Sequence, residues 1–281
     1  MNNPSAYTLS KHHALGNDFL VLDKGQAHID TDATWPEFAR LWCDRRIGIG
    51  ADGLLLLEIR DRLHLTMELF NADGSPAEMS GNGIRCLVQA AVQALAARGE
   101  RGTSGFDVQT AAGTRRVDVV EYDTRSDAQT MMLRVDMGVV TEIDPPANWS
   151  ELGCHEDRPV RHLSLGNPHS VVGVDDVLAV DLRTLGEKVP TVNLEIVEPG
   201  PETNGVTMRV HERGAGLTMA CGTGACAAAE AALTWGLVPA SATDVIVHMP
   251  GGDVLVAVDR ASRRASLTGP VTFVATVTVP V

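Results

Sequence analysis

The chain has 281 residues, 44% hydrophobic and 21% charged, the balance of a folded protein with one large or two ordinary domains rather than of a disordered one. A net charge of −13 argues against a nucleic-acid partner, and no apolar run approaches the ~20 residues that a membrane span requires. The N-terminus lacks the basic stretch and apolar core of a secretory signal, and Cys43, Cys86, Cys154, Cys221 and Cys226 show no metal-ligand spacing, so a cytoplasmic protein with free thiols and no metal is expected.

In chain order, runs rich in Val, Ile, Leu and Thr predict a strand at Phe19–Asp23 and, after a helix at Trp35–Asp44, strands at Leu54–Glu58 and His64–Phe70. An Ala-rich helix follows at Ile84–Arg98, then strands at Arg115–Val120, Met131–Met137, Ser170–Val174, Asn193–Val197 and Thr207–His211. A second Ala-rich helix at Gly224–Trp235 precedes strands at Val245–His248, Val254–Val258 and Thr272–Val279. Both Ala-rich helices are apolar nearly all round, as a helix buried inside sheet must be. The pattern predicts an α+β fold in which each half wraps strands about a central helix.

The halves echo each other. Glu78-Met79-Ser80-Gly81-Asn82-Gly83-Ile84-Arg85-Cys86 opens the first Ala-rich helix, and Thr218-Met219-Ala220-Cys221-Gly222-Thr223-Gly224-Ala225-Cys226 opens the second. Gly16-Asn17-Asp18-Phe19 is matched by Gly166-Asn167-Pro168-His169 at nearly the same offset. Two ordered pairs at about half the chain length point to duplication into two pseudosymmetric domains. The polar stretch Tyr122–Ala128 is the expected seam, giving domains over 1–127 and 128–269, with a closing strand over 270–281 returning to the first.

Each repeat sets a small hydrogen-bonding residue ahead of Gly-x-Gly at a helix start. The glycines let backbone amides approach a ligand, and the unpartnered first-turn N–H groups with the helix dipole suit a carboxylate. The same position favours the thiolate of a cysteine, so Cys221 is expected to be a low-pKa thiol. Ser80 alone reads more simply as an N-cap. Two acid–base groups facing one carbon are what inversion of configuration needs: one removes a proton and the other returns one to the opposite face.

These segments resemble the diaminopimelate epimerase family. The resemblance rests on His13-Ala14-Leu15-Gly16-Asn17-Asp18-Phe19, Gly48-Ile49-Gly50-Ala51-Asp52-Gly53, Phe70-Asn71-Ala72-Asp73-Gly74-Ser75 and Gly81-Asn82-Gly83-Ile84-Arg85-Cys86. It continues through Gly166-Asn167-Pro168-His169, Val192-Asn193, Glu212-Arg213-Gly214 and Ala220-Cys221-Gly222-Thr223-Gly224, in family order over essentially the whole chain. It implies a cofactor-independent isomerase of lysine biosynthesis that interconverts LL- and meso-diaminopimelate. It also implies two domains, each a strongly curved mixed sheet around a central helix. By resemblance, Asn17, Asn71, Asn167 and Asn193 bind the diamino diacid, and Gly81-Asn82 and Gly222-Thr223 cradle its α-carboxylate. Glu212 and Arg213 add contacts, while His169 and Glu212 support the catalytic pair at positions 221 and 80. No lysine among Lys11, Lys24 and Lys188 has a Schiff-base context, consistent with pyridoxal independence.

The chain departs from the family at Ser80, where a second catalytic cysteine is expected. A hydroxyl is a far weaker acid than a thiol and no alkoxide waits at neutral pH, so reduced or absent activity is expected. Whether the serine is a substitution, a natural variant or the mark of a binding homologue stays open at this level. So does a different pyridoxal-independent racemase or dehydratase. A homodimer is implied only by resemblance, and Phe273-Val274-Ala275-Thr276 lacks the tyrosine that often helps form it.

Overall fold

The structure, a computed structural model, describes residues 6–25, 34–100, 103–122 and 129–280. The chain divides into two units, Met1–Val135 with Pro270–Val281, and Asp136–Gly269. Most of the anticipated seam, residues 123–128, lies outside the described residues.

The first unit runs β1 (Ala6–Ala14), β2 (Asn17–Asp23), α1 (Trp35–Cys43), β3 (Gly53–Ile59), β4 (His64–Asn71), β5 (Pro76–Ala77), α2 (Gly81–Ala97), β6 (Gly105–Thr110), β7 (Gly113–Tyr122) and β8 (Thr130–Val139). β1 turns into antiparallel β2 through Leu15 and Gly16, both at positive φ. The α1 crossover makes β2 and β3 parallel, and β4 returns antiparallel to β3. β4 then pairs antiparallel with the short β5 and, across α2, parallel with β6, after which β7 and β8 follow antiparallel. α1 starts at a capping box between Thr34 and Glu37 and buries Ala39, Trp42 and Cys43.

The second unit opens with β9 (Thr141–Glu142) and repeats the plan: β10 (Val160–Ser164), β11 (Pro168–Gly173), α3 (Leu182–Lys188), β12 (Asn193–Pro199), β13 (Gly205–Glu212), β14 (Gly216–Leu217), α4 (Gly222–Trp235), β15 (Val245–Met249), β16 (Gly252–Val258) and β17 (Arg264–Pro280). β10 and β11 are antiparallel, β11 and β12 parallel, and β12 and β13 antiparallel. β13 pairs antiparallel with β14 and parallel with β15, and β16 and β17 follow antiparallel. Each step has its counterpart in the first unit. The far end of β17 pairs with β1, joining the first unit's sheet.

In each unit the Ala-rich helix is enclosed by its own strands, α2 by β1 to β4 and α4 by β10 to β13, β15 and β16. A helix touched by so many strands cannot lie on one face of a flat sheet; the sheet curves round it. Small side chains permit the close approach: Ala225, Ala227, Ala228, Ala229, Ala231 and Ala232 are all fully buried. This is the α+β arrangement of two wrapped helices that the sequence predicts. Among the described residues no helix is long and apolar enough to cross a membrane, and no cluster of three or more His, Cys, Asp or Glu could hold a metal.

Seven of these elements escaped the sequence patterns: β1, β6, β10 and α3, and the two-residue strands β5, β9 and β14. β1 reads as polar because it carries Lys11, His12 and His13, yet His12 is completely buried and bonded to Gln89 of α2 at 2.8 Å and to Ser10 at 2.9 Å. Burial drives its pKa down to about 4, so the neutral ring serves as a core residue. α3 is a seven-residue helix capped by Asp181, too short for a periodic signal. α2 and α4 also begin earlier than expected, at Gly81 and Gly222 rather than Ile84 and Gly224, because capping rather than propensity sets their starts.

Candidate active site

Ser80 and Cys221 are the N-caps of α2 and α4, both in extended backbone. Ser80 Oγ accepts the Gly83 amide at 3.0 Å, and Cys221 Sγ accepts the Gly224 amide at 3.4 Å. Helix geometry leaves first-turn amides without helical carbonyls, and the glycines hold them close to the capping atom. A Cβ on Gly83 would stand 3.1 Å from Ser80 Cβ, and one on Gly224 would stand 3.3 Å from Cys221 Sγ.

In the first unit Asn17, at the start of β2, donates to Asp52 Oδ2 at 2.7 Å and accepts from Asn82 Nδ2 at 3.1 Å. Asn82 is buried in the first turn of α2 and accepts from Arg85 Nη2 at 2.6 Å. Asn71 ends β4 and donates to Ser75 Oγ at 3.0 Å; Gly81 is buried in the first turn of α2. Behind this row Arg45 bridges Asp18 at 2.6 Å and Asp52 at 2.7 Å, with Lys11 on Asp18 at 2.9 Å. Burial opposes ionisation of Asp18, but the Arg45 and Lys11 bonds outweigh it and hold its carboxyl below the usual range. The cluster fixes the edge from which Asn17 projects.

In the second unit Asn167 precedes β11 and donates to Thr223 Oγ1 at 3.2 Å, while its Oδ1 stands 3.2 Å from His169 Nε2. Asn193 opens β12, with its Oδ1 accepting the Arg213 amide at 2.8 Å. Glu212 ends β13, and its carboxylate accepts from Thr218 Oγ1 and from the Cys221 thiol. Gly222 is buried in the first turn of α4, and Thr223 Oγ1 lies 3.6 Å from Cys221 Sγ.

The charge state of Cys221 differs from the low-pKa thiol expected from its helix-end position. Burial pushes it well above the ordinary cysteine value, and the Glu212 and Glu195 carboxylates push the same way, against weaker support for the thiolate from Thr223 and Gly224. Burial likewise raises Glu212, which its bonds to Thr218 and Cys221 offset in part. Cys221 therefore rests as a thiol, beside a Glu212 side chain whose ionised form can accept its proton. Cys43 and Cys86 are ordinary buried thiols, the former raised to about 12 by burial.

Beside the cluster of Lys11, Asp18, Arg45 and Asp52, a further ionisable residue of the site was not anticipated. Glu195 is fully buried and binds His169 Nδ1 at 2.6 Å, with both side chains at 0% exposure. Its signal was a lone carboxylate in the apolar run Asn193-Leu194-Glu195-Ile196-Val197, two positions after a nominated asparagine.

Comparison with known proteins adds to this geometry. The family profile described as diaminopimelate epimerase matches residues 9–142 and 162–274. A diaminopimelate epimerase of Desulforapulum autotrophicum is 35% identical over 95% of this chain and 96% of its own. Among solved structures, a phenazine biosynthesis protein of Bacillus anthracis superposes with a TM-score of 0.72 at 14% identity, covering 98% of this chain and 99% of its own. A hydroxyproline epimerase of Agrobacterium vitis with bound trans-4-hydroxy-L-proline gives 0.67 at 16% identity, over 100% and 94%. At such identities the structural likeness is one of fold alone.

Proposed function

The chain belongs to the diaminopimelate epimerase family, and from that premise we propose that it binds diaminopimelate and exchanges its α-hydrogen through Cys221, with Ser80 limiting complete inversion. The observation that carries this reading is the thiol at the start of α4 with the Glu212 carboxyl bonded to it.

Glu212 takes the thiol proton, and the sulfur then takes the α-proton: the C–H bond breaks, an S–H bond forms, and the electron pair passes toward the substrate carboxylate. The first-turn amides of Gly222-Thr223 in α4 suit that carboxylate as its charge grows, the role that the family resemblance also gives to Gly81-Asn82. Asn17, Asn71, Asn167 and Asn193 offer both donors and acceptors, as a ligand with two ammoniums and two carboxylates requires. Lys11 and Lys24 are engaged by Asp18 and Glu68, which supports a reaction without a Schiff base. None of the five cysteines is in a disulfide, which is compatible with a reducing cytoplasm. A homodimer remains an expectation from the family.

Return of a proton to the opposite face falls to position 80. A serine donating to a carbanion must become an alkoxide, a far less stable base than a thiolate. In D₂O the isomer presenting its α-hydrogen to Cys221 exchanges it while inversion lags. Ser80→Cys is expected to raise LL-to-meso conversion by about a thousandfold, the scale of one placed acid–base group. Failure of diaminopimelate to bind, with proline or hydroxyproline binding instead, would reject the substrate.

A further inference from the structure

Glu212 and Cys221 are joined by one stretch of chain, and a polar residue, Thr218, stands in its middle. The stretch leaves β13, turns through Gly214 and Gly216, both at positive φ, and returns as β14 before reaching the cap of α4. β14 pairs with β13, Gly216 opposite Glu212 and Leu217 opposite His211. Further on, Met219 O accepts the Gly251 amide at 2.8 Å, which pins the stretch to the turn between β15 and β16. Leu217 and Met219 are exposed. Thr218 between them is half-buried, and its Oγ1 donates to Glu212 Oε1.

The first unit shows the same stretch without that hydroxyl. There β5 pairs with β4, Pro76 opposite Phe70, as Leu217 stands opposite His211. Counting on from these pairs, Asn71 holds the place of Glu212, and Ala77 holds the place of Thr218. Asn71 is fixed from within its own turn, where Ser75 Oγ accepts its amide at 3.0 Å. The return strand forms on alanine as well as on threonine, so the fold does not require the hydroxyl.

We propose that Thr218 is the positioning residue of Glu212: its hydroxyl fixes the carboxylate beside the Cys221 thiol and keeps it in the ionised form that takes the thiol proton. A hydrogen bond to an ionised carboxylate is stronger than one to a neutral carboxyl, so the bond favours the charged form. The ionisable groups around Glu212 are Glu195 on β12, His169 on β11 and Cys221 at the start of α4. Burial raises Glu212 most and the Glu195 carboxylate adds to the rise, while Thr218, Cys221 and His169 act against it. When Cys221 gives up its proton, the S–H bond breaks and an O–H bond forms on Glu212. Thr218 keeps its own proton throughout and acts on the sulfur only through that carboxylate.

This assignment deepens the proposed function and rests on it for the kinetic arm of its test alone. In the full chain grown with carboxyl-labelled carbon-13 glutamate, the Glu212 signal is identified by its loss in Glu212→Gln and titrated without ligand. Thr218→Val, close to threonine in shape, is expected to raise the midpoint by about one pH unit, a tenfold loss of the ionised form. Thr218→Ala, which copies the first unit, is expected to do the same and decides the matter if the valine variant does not fold. Thr218→Ser keeps the hydroxyl and is expected to restore the midpoint. An unmoved or lowered midpoint, or a serine variant that titrates like the alanine one, overturns the assignment.

With diaminopimelate, the acid limb of the α-hydrogen exchange profile is expected to move up with the midpoint while KM is unchanged; a raised KM with an unmoved limb would make Thr218 a ligand contact and overturn it. Absence of exchange in the parent chain would reject the proposed substrate and leave the titration to decide Thr218.

Discussion

The starts of α2 and α4 are the same device built twice, and they differ in what lies beneath them. Each is an N-cap whose side chain accepts the amide three residues on, followed by glycines and a buried Ala-rich helix. Beneath α4 stand Glu195, His169 and Glu212. Beneath α2 stand Leu55 and Phe19, with Asn71 ending β4 as Glu212 ends β13. One scaffold accepts either an apolar or an ionic floor, so the fold itself does not require the ionic one. The positions that carry Glu195, His169 and Glu212 in the second unit carry no histidine or carboxylate in the first.

The widest test of this contrast is to remove each cap. Cys221→Ala should lower α-hydrogen exchange into D₂O by about a thousandfold, whereas Ser80→Ala should leave exchange standing and cost about 1 kcal/mol of stability from the lost cap, read by denaturant melts. Equal losses of exchange would show that the two helix starts are equivalent after all.

Glu212→Gln sharpens the difference in charge. Burial raises Glu212, so its contribution to stability is fully present below the ordinary glutamate value and is lost as pH rises through the folded value. The neutral amide escapes that loss. The variant should therefore melt about 2 °C or more above the parent at pH 8 and no higher at pH 4, while losing exchange activity. A melting difference that does not vary with pH would remove the raised carboxyl from the account.

The smallest effect comes from the glycines. A methyl on Gly224 meets the Glu195 carboxylate at 2.7 Å, while on Gly83 it meets Ser80 Cβ at 3.1 Å and Phe19 at 3.5 Å. Gly224→Ala should cost about 2 kcal/mol, the scale of overpacking a filled interior, and Gly83→Ala distinctly less. The reverse order would mean that Glu195 is free to move aside.

The repeat, the two wrapped helices and the family were legible because they rest on local signals: Gly-x-Gly spacing, Ala-rich runs and strings of β-branched residues. β1 was not, since its polar face is made acceptable only by Gln89 reaching His12 from α2. The site residues were nominated by motif, yet their roles depend on neighbours distant in sequence, such as Asp52 holding Asn17 and Thr223 meeting Asn167.

By itself the order of residues determined that the chain is a duplication with a thiol at one helix start and a hydroxyl at the other, because capping and propensity act over a few residues. Only the tertiary structure decided the charge of that thiol. A helix end in water favours a thiolate; a helix end buried against two carboxylates favours a thiol, and burial is a property of the packed molecule rather than of any segment of it.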